Sequence, residues 1–240
     1  MDFSKLTEAA RKLLPLKYCG AVIVAAGNAS RMGGIDKVMA ELNGEPMIVR
    51  TVRTFQNCNA ISEIVIVTRP DLILPITELT QDMYKVKAVV AGGSSRQESV
   101  HLGLNALSRK VKLAAIQDGA RPLITWQVID RVVRAAHTHG AAIPCVPVKD
   151  TIKVDNGGVV ADTPDRATLF AAQTPQVFDF DLLRAALKKA EEDGANVTDD
   201  ASAVEHMGMA VKIVEGDERN IKVTTPMDLK IAEMLLEEKQ

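Results

Sequence analysis

A short apolar run that stops abruptly at a glycine limits what the N-terminal part of this chain can form. Residues Ala21 to Ala26 are all apolar, and Gly27 ends the run. A run this short is too brief for an ordinary helix and suits a strand that is buried on both faces. The loop that follows is rich in small residues and carries Arg31 and Lys37. The pattern therefore predicts an inner strand of an α/β sheet, with two cations and free backbone N–H groups beyond its carboxyl end.

Such a loop is suited to a polyphosphate, because glycine permits close approach of the backbone and Arg and Lys neutralise charge. Two common phosphate-binding loops are excluded. The dinucleotide fingerprint needs glycines at its first, third and sixth positions, and from Gly27 onward only the first is present. The Walker pattern needs a Gly-Lys pair, but neither Gly33 nor Gly34 precedes a lysine. The loop is therefore of a third kind.

Apolar runs alternate with helical patterns along most of the chain. Further strands are predicted at 64–68, 86–90, 113–117, 141–146 and 211–215, and helices at 45–56, 71–81, 95–107, 125–139 and 179–192. This alternation predicts parallel βαβ units with right-handed crossovers. We therefore expect an α/β fold in which residues 1–240 form a single Rossmann-like domain, with a mostly parallel central sheet flanked by helices. Residues 2–17 are predicted to form an amphipathic helix on its flank.

The composition excludes several classes of protein. Apolar residues make up 47% of the 240 residues and charged residues 25%, which is typical of a soluble globular protein. The formal net charge of −2 does not indicate a nucleic-acid partner or an anionic lipid surface. No apolar run is long enough to span a membrane. Cys19, Cys58 and Cys145 are far apart and are read as reduced thiols of a cytoplasmic protein.

Residues 148–166 are predicted to form a β-hairpin. They are β-prone on both sides of Asn156-Gly157, which is the strongest short signal for a hairpin turn. A polar two-stranded ribbon is not stable alone, so we expect it to contact another body. A second subunit is the simplest candidate, and the segment is predicted to be an arm that forms a homodimer.

Polar residues follow several of the predicted strands. Gly92 and Gly93 come after the third strand, and Asp118 and Arg121 come after the fourth. Asp118 and Arg121 could form a local ion pair, or Asp118 could face ribose or a Mg²⁺–phosphate cluster while Arg121 faces an anion. Lys222 lies between two apolar residues on a predicted strand, where it is either a surface lysine or a functional one. The carboxyl ends of parallel strands are where ligands bind in such sheets.

Several segments together resemble one family. Ala25-Ala26-Gly27-x-x-Ser30-Arg31-Met32-Gly33, followed by Lys37, resembles the signature of sugar-nucleotide-forming nucleotidyltransferases. Later segments resemble the methylerythritol phosphate cytidylyltransferases in particular: Asp118-x-Ala-Arg-Pro122, Gln173-Thr-Pro-Gln176, Thr198-Asp-Asp-Ala-Ser202 and Asn220-Ile-Lys-x-Thr-x-Pro-x-Asp228. The chain departs from the family at Ala29, where members commonly have Gly, and at Asp36-Lys37-Val38, where they have Pro-Lys-Gln.

The resemblance implies a reaction and a set of residues. The family joins CTP with 2-C-methyl-D-erythritol 4-phosphate and releases pyrophosphate, with Mg²⁺ held mainly by CTP phosphates and water. By resemblance, the catalytic residues are Arg31, Lys37, Arg166 and Lys222. The nucleotide-binding residues implied are Ala25, Ala26, Gly27, Gly93, Ser99 and Asp118. The residues implied for the polyol phosphate are Thr151 and Arg166 on a neighbouring subunit's arm, with Arg121, Thr198 and Lys222.

Three alternatives stay open at this point. A cytidylyltransferase for ribitol 5-phosphate or another polyol phosphate would share most of these motifs. A nucleotide-sensing module without catalysis would not need to retain Arg31, Lys37, Arg166 and Lys222. A nicotinamide-dependent dehydrogenase is disfavoured because the glycine fingerprint is incomplete.

Overall fold

The secondary structure alternates between strands and helices, as the sequence predicts. The computed structural model describes residues 15–27 and 38–238. In chain order its strands are β1 (Cys19–Ala25), β2 (Glu41–Leu42), β3 (Glu45–Pro46), β4 (Glu63–Thr68), β5 (Val86–Ala91), β6 (Leu113–Asp118), β7 (Ala141–Pro147), β8 (Val154–Asn156), β9 (Val159–Asp162), β10 (Phe170–Ala172), β11 (Gln176–Asp179) and β12 (Lys212–Glu215). The helices of the described part are α1 (Met47–Asn57), α2 (Ile73–Leu79), α3 (Arg96–Ala106), α4 (Trp126–His139), α5 (Phe180–Glu192), α6 (Asp200–His206) and α7 (Pro226–Glu237).

A central sheet of eight strands organises these elements. Its order is β10-β7-β11-β6-β1-β4-β5, and β12 pairs with β7 as well. The strands β6, β1, β4 and β5 are parallel, whereas β11 runs antiparallel between β6 and β7. The chain passes from β1 to β4 and β5 on one side, and then β6 pairs with the other side of β1. The strand order therefore reverses between β1 and β6, which is the position where open α/β sheets bind their ligands.

Both faces of the sheet are covered by apolar side chains. Ile23 of β1 packs in one core cluster with Phe55 of α1 and Val132 of α4. The preceding residue, Val22, packs in the cluster on the other face with Leu104 of α3 and side chains of α5. Successive side chains of a strand point to opposite faces, so this arrangement buries β1 on both sides. The prediction of a fully buried first strand is confirmed.

The predicted hairpin is present. Strands β8 and β9 pair antiparallel with each other in a separate two-stranded sheet, and all of their residues are exposed. The turn follows Asn156 and places Gly157 and Gly158 at φ values of 65° and 88°, which glycine adopts without strain. The Asn-Gly signal therefore predicted the turn correctly.

Two predictions of local structure need correction. The predicted helix over 2–17 lies mostly outside the described residues, and its last residues, from Pro15 to Lys17, are not helical. Proline ends the pattern there, and the Lys17 ammonium pairs instead with the Asp179 carboxylate at 2.9 Å. Lys222 lies in a loop rather than on a strand. Its neighbour Val223 is buried, so the apolar residue beside Lys222 packs on the core without pairing in the sheet.

Two further features agree with the composition. Cys19, Cys58 and Cys145 are free and buried. Among the helices that the structure describes, none has the length and apolar character needed to cross a bilayer.

Candidate active site

A cleft of about 420 Å³ opens at the carboxyl ends of β1, β4, β5 and β6. This volume lies in the usual range for small-ligand sites. One wall is backbone, formed by Ala25–Gly27 after β1 and by Gly92–Ser95 after β5. The polar and charged side chains of the cleft include Arg69, Arg96, Ser99, Asp118 and Lys222. The cleft therefore combines accessible main chain with a cluster of charges.

The glycine wall is held by hydrogen bonds at the start of α3. Ser95 caps this helix by accepting a bond from the Glu98 N–H at 3.0 Å. The Ser99 hydroxyl accepts from the Gly93 N–H at 3.1 Å and donates to the Ser95 carbonyl at 2.8 Å. A Cβ atom added at Gly92 would collide with the Cβ atom of Ala26. Glycine is thus required where the loop after β5 packs on the loop after β1.

Asp118 is the centre of the charge cluster. The Lys222 Nζ atom lies 2.8 Å from Asp118 Oδ2, and the Arg121 Nε atom lies 3.6 Å from the same oxygen. The Arg96 Nε atom lies 3.7 Å from Asp118 Oδ1. Burial raises the pKa of Asp118, but Lys222, Arg96 and Arg121 outweigh burial, so the pKa lies below its ordinary value. Asp118 is therefore an ionised carboxylate held between three cations.

Arg121 is buried beneath the cleft and is not part of its lining. Only 9% of the residue is exposed, and its Nη1 atom donates to the Asn220 carbonyl at 2.7 Å. The sequence left open whether Arg121 pairs with Asp118 or faces a substrate anion, and the structure shows the ion pair. In this structure Arg121 connects Asp118 to the segment that precedes Lys222, and its predicted contact with a substrate anion stays a prediction.

The Gln173–Gln176 segment ties together three parts of the site. The Thr174 hydroxyl accepts from the Asp118 N–H at 3.1 Å, and the Asn220 side-chain amide donates to the Thr174 carbonyl at 3.0 Å. The Gln176 side-chain oxygen accepts from the Asp200 N–H at 3.1 Å. This segment thus joins the end of β6, the loop that carries Lys222 and the first turn of α6.

Arg96 is a functional candidate that the sequence did not reveal. Its Nη2 atom donates to Asp200 Oδ2 at 2.7 Å, and Asp200 is 1% exposed. The position directly after a serine N-cap is common for an exposed arginine, so no local signal distinguishes Arg96. Only the contact between α3 and α6 brings the two charges together.

Apart from the buried Arg121, the predicted residues fall into three groups. Ala25, Ala26, Gly27, Gly93, Ser99, Asp118 and Lys222 all line the cleft. Arg31 and Lys37 lie outside the described residues. Thr151, Arg166 and Thr198 are exposed and do not line the cleft of their own chain, and the Arg166 Nη1 atom donates to the Lys149 carbonyl at 2.8 Å.

The fold and this cleft define an α/β protein of the nucleotidyltransferase class, in which a glycine wall and a cationic cluster meet at the switch point of the sheet. The family model of IspD, 2-C-methyl-D-erythritol 4-phosphate cytidylyltransferase, matches residues 19–238. The chain belongs to this family.

Known relatives agree with this assignment. The 2-C-methyl-D-erythritol 4-phosphate cytidylyltransferase of Caldanaerobacter subterraneus is 44% identical over 221 residues, which is 90% of this chain and 97% of the relative. The enzyme of the same description from Symbiobacterium thermophilum is 46% identical over 90% of this chain and 92% of its own. The crystal structure of the 4-diphosphocytidyl-2C-methyl-D-erythritol synthase of Anaerococcus prevotii superposes with a TM-score of 0.84 at 30% identity, covering 92% of this chain and 96% of the other.

Family membership decides between the alternatives left open by the sequence. The chain is an enzyme, a cytidylyltransferase, and its family joins CTP with 2-C-methyl-D-erythritol 4-phosphate in the non-mevalonate route to isoprenoid precursors. The assignment favours this acceptor over ribitol 5-phosphate and removes the dehydrogenase and the sensing module.

Proposed function

We propose that the cleft at the ends of β1, β4, β5 and β6 is where this chain joins CTP with 2-C-methyl-D-erythritol 4-phosphate. One observation carries the proposal: Lys222 and Asp118 meet beside the glycine wall at the switch point of the sheet. A phosphate oxygen of the polyol phosphate attacks the α-phosphorus of CTP, the bond to the β-phosphate oxygen breaks, and pyrophosphate leaves. Such transfers depend on positioning and charge stabilisation more than on covalent help from the protein.

Lys222 is the described cation best suited to the reacting phosphates. Its side chain is 43% exposed, and the described residues give its ammonium group one ion pair, with Asp118. An ammonium group has three donors, so two remain for phosphate oxygens of the α-phosphate and the incoming polyol phosphate. Asp118 fixes the position of the ammonium group before either substrate binds. By resemblance, Arg31 and Lys37 add charge at the triphosphate.

The nucleoside is proposed to bind along the glycine wall. Backbone N–H and C=O groups of Ala25–Gly27 and of the loop at Gly93 border the cleft next to the buried Ser99. Main-chain groups held in a fixed turn can read the edge of a base, and glycine allows the base to come close. The hydroxyl of Ser99 is engaged with Gly93 and Ser95, so it acts by fixing the shape of this wall.

We infer that Mg²⁺ enters this site carried mainly by the nucleotide. No group of three or more potential metal-binding side chains occurs within residues 15–27 and 38–238. Asp118 is the one carboxylate among the cleft-lining residues of the described chain, and cations already surround it. Mg²⁺ commonly keeps several waters and binds through phosphates with one or two carboxylates. When bound, the metal would neutralise charge on the triphosphate, and Asp118 is the cleft-lining carboxylate of the described residues that could help to hold it.

The hairpin of β8 and β9 is proposed to clasp a second copy of the chain. Val154, Val159 and Val160 are 43%, 69% and 58% exposed, although apolar side chains on a β-ribbon are normally covered. Thr151 and Arg166 flank this hairpin and do not line their own cleft. Both observations support a homodimer in which these two residues reach the polyol phosphate bound by the partner.

A pyrophosphate-release assay tests the proposal. The protein is incubated with CTP and Mg²⁺ together with 2-C-methyl-D-erythritol 4-phosphate, ribitol 5-phosphate or no acceptor. We expect release that depends on methylerythritol phosphate and that is lost in Lys222→Ala. Lys230→Ala, an exposed lysine on α7, is the matched control and should keep full activity. Absence of release with methylerythritol phosphate, or faster release with ribitol 5-phosphate, would contradict the proposed acceptor.

A further inference from the structure

We infer that Arg96 is a positioning residue for the reaction, because its guanidinium bridges Asp118 in the cleft and the buried Asp200 on α6. This inference rests on the proposed function. It assigns Arg96 a role in fixing Asp118, and through Asp118 the ammonium group of Lys222, relative to the glycine wall.

The geometry supports a bridge between three elements. Arg96 is the first residue of α3 and directly follows the loop Gly92–Ser95 of the cleft wall. Its Nη2 atom lies 2.7 Å from Asp200 Oδ2, and its Nε atom lies 3.7 Å from Asp118 Oδ1. The planar guanidinium is rigid and presents its donors in a fixed fork, so contacts at two of its nitrogens, Nε and Nη2, limit how far the two carboxylates can move apart. A movement of α3 would therefore shift the Arg96 guanidinium relative to the Asp118 carboxylate.

Asp200 has the character of an anchor. It is 1% exposed, its backbone N–H is bound by the Gln176 side chain, and Arg96 is the cation that pairs with it among the described residues. Burial raises the pKa of Asp200, and Arg96 opposes that shift. A buried ion pair contributes little stability compared with apolar side chains of similar size, so stability alone does not account for it. A fixed position for the Arg96 guanidinium does account for it.

Arg96 is also open to the cleft. About a third of its side chain, 32%, is exposed, and it lines the same cavity as Asp118 and Lys222. The cations that face Asp118 from the described elements are Lys222 from the loop before α7, Arg96 from α3 and Arg121 from the turn after β6, and the Asp200 carboxyl group on α6 also interacts with it. Among these cations, Arg96 directly follows the Gly92–Ser95 loop, along which the base is proposed to bind. It therefore couples the nucleoside end of the site to the phosphate end.

The decisive variant is the double substitution Arg96→Gln/Asp200→Asn. Arg96→Gln alone leaves the Asp200 carboxyl buried without its cation, which destabilises the fold by itself. The double variant removes both charges and keeps two groups that can hydrogen-bond to each other. We expect its melting temperature to stay close to that of the unmodified protein, while kcat/KM for CTP falls about 10- to 100-fold, the scale of a small misplacement in a site.

Two readouts separate positioning from a merely structural role. The KM for CTP should rise more than the KM for methylerythritol phosphate, because the Gly92–Ser95 loop, along which the base is proposed to bind, loses its link to Asp118 through Arg96. In Arg96→Gln, which keeps Asp200, the acid limb of the pH profile of kcat/KM should move to higher pH, because Asp118 loses one of the cations that lower its pKa. Arg96→Lys should restore part of the loss, since one ammonium group keeps the charge but cannot span both carboxylates.

Arg134→Gln is the matched control. Arg134 is an exposed arginine on α4 that pairs with Asp130 at 2.6 Å, outside the cleft. It should leave both substrates' KM values and the pH profile unchanged. If the double variant keeps the CTP parameters of the unmodified protein, Arg96 serves only to neutralise Asp200 and the inference is wrong. If the double variant does not fold, unchanged kinetic parameters for CTP in Arg96→Lys would equally show that the inference is wrong. A lack of pyrophosphate release by the unmodified protein would instead overturn the proposed function.

Discussion

The ammonium group of Lys222 lies 2.8 Å from the carboxylate of Asp118, although the two residues belong to separate elements of the fold. Asp118 ends β6, where its N–H is bound by the Thr174 hydroxyl. The loop of Lys222 is held against the turn that follows Asp118, because the Val223 N–H donates to the Ala120 carbonyl at 2.9 Å. Backbone contacts thus fix both partners relative to each other. The pair is arranged before a substrate arrives, which is the condition under which charges stabilise a transition state most effectively.

Lys222→Ala should reduce turnover by about two to three orders of magnitude, the usual loss when one pre-arranged donor to a developing charge is removed. The fold should survive, because the side chain is 43% exposed and the buried neighbour Val223 is retained. Pyrophosphate release and circular dichroism measured on the same preparation check both parts. A turnover number within a few-fold of the unmodified protein would show that Lys222 has no role at the reacting phosphates.

Asp118→Asn should change how stability depends on pH. The folded-state pKa of Asp118 is lowered, so its carboxylate contributes fully above the unfolded-state pKa of about 3.9, and this contribution is lost as the pH falls through the lower folded-state pKa. The unmodified protein should therefore lose stability on acidification below about pH 4 more steeply than Asp118→Asn. Melting temperatures measured across this range provide the test, with the exposed Asp82→Asn as control. Equal slopes for all three proteins would mean that Asp118 is not an ionised member of the cluster.

Arg166→Ala should raise the KM for methylerythritol phosphate more than the KM for CTP, because Arg166 is proposed to act on the polyol phosphate of the partner. Mixing Arg166→Ala with Lys222→Ala subunits then gives heterodimers in which one of the two sites has both residues. Random exchange should recover about a quarter of full activity, since half of the dimers are mixed and each has one intact site. No recovery after verified exchange would place Arg166 in the cleft of its own chain, and full activity of Arg166→Ala by itself would place Arg166 outside the reaction.

Val160→Asp should weaken the dimer, because it places a charge on the exposed apolar surface of the hairpin. Sedimentation velocity over a range of protein concentrations gives the association state. Leu74→Asp, at a leucine of α2 that is 67% exposed, carries the same change outside the hairpin and should leave association unaltered. If Val160→Asp associates like the unmodified protein, the hairpin is not the interface.

The sequence predicted the strands of the parallel part of the sheet well, because each is a short apolar run bounded by turn residues. The runs that became β1, β4, β5 and β6 were located within about two residues, the normal uncertainty of such boundaries. The place of β11 between β6 and β7 was not predicted. Its pairing of Val177 with both Ala115 and Ala142 is set by contacts across the sheet, which no local pattern encodes.

The site residues that follow predicted strands were predicted, and those that depend on contacts between distant elements were not. Gly93 and Asp118 follow predicted strands, so their presence at one edge of the sheet could be inferred from topology, whereas Ser99 was assigned by the family resemblance alone. The ion pair between Arg96 and Asp200 depends on the tertiary contacts that bring the first turns of α3 and α6 together, and it could not be inferred. Lys222 was expected on a strand, since Ile221 and Val223 are β-branched and apolar. The structure uses Val223 to anchor a loop instead.

A crystal structure of the protein with CTP and Mg²⁺ would show whether the nucleotide binds in this cleft. We expect the cytosine to lie against Gly92–Ser95, and the Lys222 ammonium group to lie within about 3 Å of an α-phosphate oxygen. Arg31 and Lys37 should contact the triphosphate in the same complex. A nucleotide bound elsewhere, or one bound with these three cations on separate faces of the protein, would contradict the account.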